Sequence, residues 1–144
     1  MPSAQHPRDI LLVEDDLADA MLIEEALRER GGARSIVRVP DGLAALERLR
    51  DPAIAAPDLI VLDLNMPRMN GRELLGVLKA DDELKIIPTV VLTTSGAPDD
   101  VSAAYRNHSN AYITKPVNLD DFIQAVHNID TFFLDTVTSP RSDR

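Results

Sequence analysis

Four stretches of this chain run from apolar or β-branched residues straight into a group that could do chemistry. Ile10-Leu11-Leu12-Val13 leads into Glu14-Asp15-Asp16, Leu59-Ile60-Val61-Leu62 into Asp63, Thr89-Val90-Val91-Leu92 into Thr93-Thr94-Ser95, and Ala111-Tyr112-Ile113-Thr114 into Lys115. The four apolar residues Leu59-Ile60-Val61-Leu62 read as a strand buried on both faces, the kind that parallel sheets use. Ile10-Leu11-Leu12-Val13 reads as another buried strand, and the other two runs as further strands of the same sheet. Their carboxyl ends then share one edge, where open α/β sheets place their ligands. Carboxylates gathered there repel, because two unit charges about 4 Å apart cost about 4 kcal/mol at an effective dielectric near 20. They stay ionised together only beside a cation. Lys115 is one candidate; a hard divalent ion with oxygen ligands, Mg²⁺ above all, is another. A carboxylate beside a metal, an ammonium and a hydroxyl is suited to receive a phosphoryl group, since that transfer needs alignment and charge neutralisation above all.

Each signal also has a plainer reading. Glu14-Asp15-Asp16 could cap a helix whose amino end favours negative charge, and Asp16 is the acid that fits this best. Asp63 could organise the loop that follows it. Thr93 could be a turn residue and Lys115 a solvated strand end. Four such ends on one edge of one sheet favour a shared site. His6, His108 and His127 have no ligand or triad spacing and read as surface residues.

The elements that must position these groups alternate along the chain. After the first strand, residues 17–30 form an amphipathic helix with Ala20, Ile23, Ala26 and Leu27 on one face, stopped by Gly31-Gly32. Residues 35–39 are β-branched and read as the second strand. Pro40-Asp41-Gly42 turns into a helix with Leu43, Leu46 and Leu49 facing inward, and a Pro- and Ala-rich loop, 51–58, leads to the central strand. Pro67 and Gly71 mark the loop after Asp63, where glycine tolerates unusual backbone angles. A helix follows to about Ala80 with Leu74, Leu75 and Leu78 buried; Asp81-Asp82-Glu83 is a solvated acidic stretch. A weakly amphipathic helix is expected over 98–107. The last helix, from Asn118 or Leu119, carries Leu119, Phe122, Ile123, Val126, Ile129 and Phe133 on one stripe. This alternation implies a doubly wound α/β domain, a five-stranded parallel sheet with helices on both faces and right-handed crossovers.

Residues 1–8 read as a flexible lead, 9–133 as the single domain and 134–144 as a carboxyl-terminal extension. The 144 residues suffice for a core without metals or disulfides, and the chain has no cysteine. A net charge of −9, three Phe, two Tyr and no Trp disfavour a nucleic acid partner or an anionic membrane surface. No apolar run approaches the roughly 20 residues of a span, and the polar start lacks a signal-peptide core, so a cytoplasmic protein is expected.

At these residues the chain resembles the receiver domain of two-component response regulators, from Ile10 to about Phe133. Ile10-Leu11-Leu12-Val13-Glu14-Asp15 is similar to the family's acidic pair, and 62–71 to its phosphoacceptor segment. Tyr112-Ile113-Thr114-Lys115-Pro116 is similar to its lysine motif. The resemblance implies a flavodoxin-like strand order, 2-1-3-4-5, and a regulator phosphorylated on Asp63 by a histidine kinase. Asp15 and Asp63 would ligate Mg²⁺ directly, Glu14 through water, and Asn65 through its backbone carbonyl. Thr93 would bond the phosphoryl group and Lys115 would pair with it; the bond before Pro116 is often cis in the family, aiming the lysine inward. Thr93 and Tyr112 would form the switch, repacking the face made by the 98–107 helix, the fifth strand and the last helix. Dephosphorylation would be slow and intrinsic, with Asn65 and Ser95 lining the path of the attacking water, so the protein is not expected to turn over a substrate.

The ending, Phe132-Phe133 with Val137 and Pro140, is similar to stand-alone regulators that partner bacterial phytochrome kinases. It departs from them in having Phe133 and Ser139 where Trp and Leu are expected. In such relatives the terminal helix supports a homodimer; one of the two Phe side chains is expected to pack inward and the other outward. With about ten residues after the last helix, no output domain is expected, and the signal leaves through a partner, a dimer change or onward phosphotransfer. Two rivals remain. A Mg²⁺-dependent phosphohydrolase of the haloacid dehalogenase type also uses a strand-end Asp, but Asn65 stands where its second Asp belongs. A flavin- or nucleotide-binding module without phosphorylation would want a phosphate-cradling loop in place of Glu14-Asp15-Asp16.

Overall fold

The strands alternate apolar residues toward both faces, and helices cover each face in turn. The computed structural model describes residues 8–29, 34–66, 68–94 and 111–132. In chain order the elements are β1 (Arg8–Val13), α1 (Leu17–Glu29), β2 (Arg34–Val39), α2 (Gly42–Leu49), β3 (Leu59–Leu62), α3 (Gly71–Ala80), β4 (Thr89–Thr93), β5 (Ala111–Thr114) and α4 (Leu119–Ile129). All pairings are parallel and the order is β2-β1-β3-β4-β5, as expected. Gly31-Gly32, Pro67, Ser95, the expected helix over 98–107, His6, His108, Phe133 and the carboxyl-terminal extension lie outside the described residues.

Two apolar layers sandwich the sheet. Leu11, Val13, Ile60, Leu62 and Val91 face α2 and α3. Ile10, Leu12, Leu59, Val61, Val90 and Leu92 face α1 and α4. Residues one position apart point to opposite faces, so strands buried on both sides must be apolar throughout. Each described helix is capped at its amino end by a side chain. Asp16 accepts from the N–H of Asp19 at 3.0 Å, Asp41 from Ala44 at 2.9 Å, and Asn118 from Asp121 at 3.1 Å. Asn70 and Glu73 form a reciprocal capping box.

Several expectations are corrected. Leu43 is 42% exposed and Leu119 53% exposed. In α2 the buried face is Gly42, Ala45 and Leu46, so Leu43 turns outward. In α4 the stripe runs Phe122, Val126 and Ile129, and Leu119 stands one turn before it. Asp81 is more than a solubilising charge: its carboxylate accepts from the N–H groups of Glu83 and Leu84, shaping the turn that buries Leu84 and Ile87. Gly71 is required for space rather than for backbone angle. A Cβ there would lie 2.3 Å from the Asp63 carbonyl oxygen and 2.6 Å from the Leu64 Cα.

Candidate functional site

The ladder itself delivers the site. Val13 sits in register with Val39 on one side and Leu62 on the other, and Thr93 with Thr114. One residue further on, the pairing persists: Glu14 N–H donates to Val39 O at 3.1 Å, Asp63 N–H to Val13 O at 3.0 Å, and Lys115 N–H to Thr93 O at 2.7 Å. The backbones of Glu14, Asp63 and Lys115 are therefore held by the sheet, which is the rigid placement that a preorganised site needs.

Their side chains meet at the carboxyl edge. Lys115 Nζ donates to Glu14 Oε1 at 2.7 Å, to Asp19 Oδ2 at 2.8 Å and to Asp63 Oδ2 at 3.4 Å. Glu14, Asp63 and Lys115 are all buried, whereas Asp15 is exposed. The Asp63 carboxylate is oriented by its neighbour, since Asn65 N–H donates to Oδ1 at 3.1 Å. Thr93, fully buried at the end of β4, accepts a long hydrogen bond from Asn65 Nδ2 at 3.5 Å. Tyr112 is half-buried on β5 and packs against the α2–α3 layer.

Charge is unbalanced here. Burial pushes the Glu14 carboxyl up to about 7, against the hydrogen bond from Lys115 and with the Asp63 charge adding to the rise. Burial alone would depress the Lys115 ammonium, but its bonds to Asp19 and Glu14 and the charges of Glu14 and Asp63 hold it well above the usual lysine range. Lys115 is therefore charged, and it faces more carboxylates than it can neutralise. Oxygen atoms of Glu14, Asp15 and Asp63 lie within 4.8 Å of one another. An all-oxygen set of this kind fits a hard divalent cation, whose charge would offset the excess.

Of the residues singled out in the sequence, Glu14, Asp15, Asp63, Asn65, Thr93 and Lys115 come together, and Asp16 is the helix cap. Two residues of the site were not anticipated. Asp19 reads in the sequence as a first-turn acid on α1, and only the fold shows that it bonds Lys115. Arg38 reads as a strand residue, yet its Nε donates to Glu14 O at 2.8 Å and its Nη2 to Asp15 O at 3.1 Å, clamping the acidic pair. The bond between Lys115 and Pro116 is trans, because no described peptide bond is cis. Lys115 reaches the carboxylates all the same, since its backbone is already aimed by the Thr93 ladder bond. His127 bonds Glu29 at 3.2 Å, tying α4 to α1 far from this edge. A cavity of about 310 Å³ under Asp9, Ser35 and Arg48 lies at the opposite, amino end of the strands.

Residues 10–127 match the response regulator receiver domain family. The chain is 45% identical to the response regulator Rcp1 of Synechocystis sp. over 138 residues, covering 93% of this chain and 94% of that one. The Mn²⁺-bound crystal structure of Rcp1 superposes with a TM-score of 0.89 over 93% of this chain and 99% of that chain. A phosphorylated cyanobacterial phytochrome response regulator, RcpA, superposes with a TM-score of 0.90 at 45% identity, over 94% of this chain and 99% of that one. A probable methanogenesis regulatory protein, FilR2 of Methanothrix harundinacea, is 41% identical over 95% of this chain and 90% of its own. No helix among the described residues is long and apolar enough to cross a membrane.

Proposed function

The chain belongs to the response regulator receiver domain family, and on that premise we propose that it is a two-component regulator whose Asp63 takes a phosphoryl group from a histidine kinase, with Mg²⁺ as the cation. The observation that carries this reading is the position of Asp63: a buried carboxylate at the end of the central strand, 3.4 Å from a buried ammonium and grouped with Glu14 and Asp15.

In the transfer, an Asp63 carboxylate oxygen attacks phosphorus as the P–N bond of a phosphohistidine breaks, its electron pair staying on the imidazole nitrogen. Glu14, Asp15, Asp63 and the Asn65 carbonyl would hold the cation, which supplies charge neutralisation for the phosphoryl oxygens. Lys115 pairs with one of those oxygens and the Thr93 hydroxyl donates to another. Moving Thr93 frees room for Tyr112 to turn inward, so the face that includes β5 and α4 repacks. Slow loss of the phosphoryl group to water returns the resting state, with Asn65 beside the path.

The kinase partner is of the phytochrome type, a reading supported by the kinship with RcpA and with the bacteriophytochrome response regulator AtBRR, which is 34% identical with a TM-score of 0.70. Phe132, 54% exposed beyond α4, suits a homodimer contact. The cytoplasm is where such a kinase domain would be met.

The test is Phos-tag electrophoresis after incubation with acetyl phosphate, with and without Mg²⁺, for wild type and Asp63→Asn. A retarded band that requires both Mg²⁺ and Asp63 supports the reading; folded wild type with no such band sinks it. Transfer from a phosphorylated red-light-sensing kinase that outpaces transfer from unrelated kinases would support the partner, and equal rates would remove it.

A further inference from the structure

Asp19 stands apart from the carboxylates grouped to share a cation, yet it lies almost as close to the lysine as Glu14 and closer than Asp63. The Lys115 ammonium has three N–H donors, and three carboxylates take them: Glu14 at 2.7 Å, Asp19 at 2.8 Å and Asp63 at 3.4 Å. Glu14 and Asp63 belong to the group whose oxygens could converge on a metal; Asp19 does not. Its backbone is anchored in the first turn of α1, where its N–H donates to Asp16 Oδ1 and the Asp16 carbonyl accepts from Ala20. Glu14 and Asp63 are the partners of Lys115 that a bound cation would draw on, and Asp19 is the one it would leave in place.

We propose that Asp19 is a positioning residue for phosphorylation. It tethers the Lys115 ammonium beside Asp63 while drawing it off direct short contact with the Asp63 carboxylate. The ammonium is thereby in place for the incoming phosphoryl oxygens, and the carboxylate stays free to attack. With the Asp19 charge removed, the ammonium would close on Asp63 Oδ2, and an oxygen tied in a close ion pair is a weaker nucleophile. The inference rests on Asp63 being the phosphoacceptor.

The test measures the rate of Asp63 phosphorylation by acetyl phosphate, in which the carboxylate oxygen bonds to phosphorus and acetate leaves with the electron pair of the broken P–O bond. Asp19→Asn should be slower on the order of tenfold, with its Mg²⁺ affinity, read by calorimetry, and its thermal midpoint near those of wild type. Asp19→Glu, which restores the charge, should recover most of the rate. Asp19→Asn should cost nothing further in a Lys115→Met background. The proposal is overturned if Asp19→Asn reacts at the wild-type rate, if its loss persists in the Lys115→Met background, or if Mg²⁺ affinity falls with the rate. Failure of wild type itself to be phosphorylated would overturn the reading of Asp63 and this inference with it. A normal wild type beside an unimpaired Asp19→Asn would overturn the inference alone.

Discussion

Lys115 Nζ donates to Glu14 Oε1 at 2.7 Å, joining residues 101 positions apart, and both side chains are buried. The pair links the first strand to the last and spans the central strand that carries Asp63. Neither residue could be buried alone, because an unpaired buried charge costs several kcal/mol.

Glu14 makes the metal-free protein sensitive to pH. Its carboxyl titrates near 7 when folded, against an ordinary value of 4.5. A raised carboxyl contributes stability that is complete below pH 4.5 and is lost as pH rises through about 7. In EDTA, wild type should therefore be less stable at pH 8 than at pH 5.5, with Glu14 contributing on the order of 2 kcal/mol to that difference. Glu14→Gln should flatten the profile. Urea unfolding across this range checks it, and parallel profiles for the two proteins would contradict it.

Gly71→Ala should damage both fold and site. Its Cβ would meet the carbonyl of Asp63 and the Cα of Leu64, both backbone atoms that cannot rotate away. Overpacking of this kind costs roughly 1–3 kcal/mol. The urea midpoint should drop accordingly, and phosphorylation of the protein that remains folded should slow because Asp63 is displaced.

Arg38→Met should weaken the hold on a divalent cation without touching a ligand atom. Its guanidinium clamps the carbonyls of Glu14 and Asp15. Removing such a supporting bond costs about 10- to 100-fold in metal affinity. Calorimetric titration with Mg²⁺ reads the change, and unchanged affinity would show that the strand ends hold the acidic pair unaided.

Asp41 ties two loops beside the site. Oδ1 caps α2 through the N–H of Ala44, and Oδ2 accepts from Arg68, whose backbone has φ 56° after the β3 turn. Burial works against this carboxylate, but the Ala44 and Arg68 bonds hold it below its ordinary 3.8. Its contribution is thus present above pH 3.8 and lost as pH falls through the lower folded value. Asp41→Ala should cost about 1–2 kcal/mol at pH 7, measured by urea unfolding. Arg68→Met should cost less, because Arg68 is exposed.

Composition and order along the chain carried a great deal. Uninterrupted apolar runs ending in Glu14 and Asp63 determined that these strands are buried, and the runs ending in Thr93 and Lys115 that their chemistry shares the same edge, although β5 itself is only half-buried. A strand's side chains alternate by a local rule, and a parallel sheet puts every carboxyl end on the same side, so the strand-end members of the site follow without coordinates. What only the tertiary structure decided is which charges touch. Asp19 and Arg38 are ordinary residues of a helix and a strand, and their roles come from helix packing and strand adjacency that no local pattern encodes. The need for glycine at position 71 is likewise a matter of distance, 2.3 Å to the Asp63 carbonyl. Local patterns record the conformation of a segment; contact between segments is settled by how the layers close on the sheet.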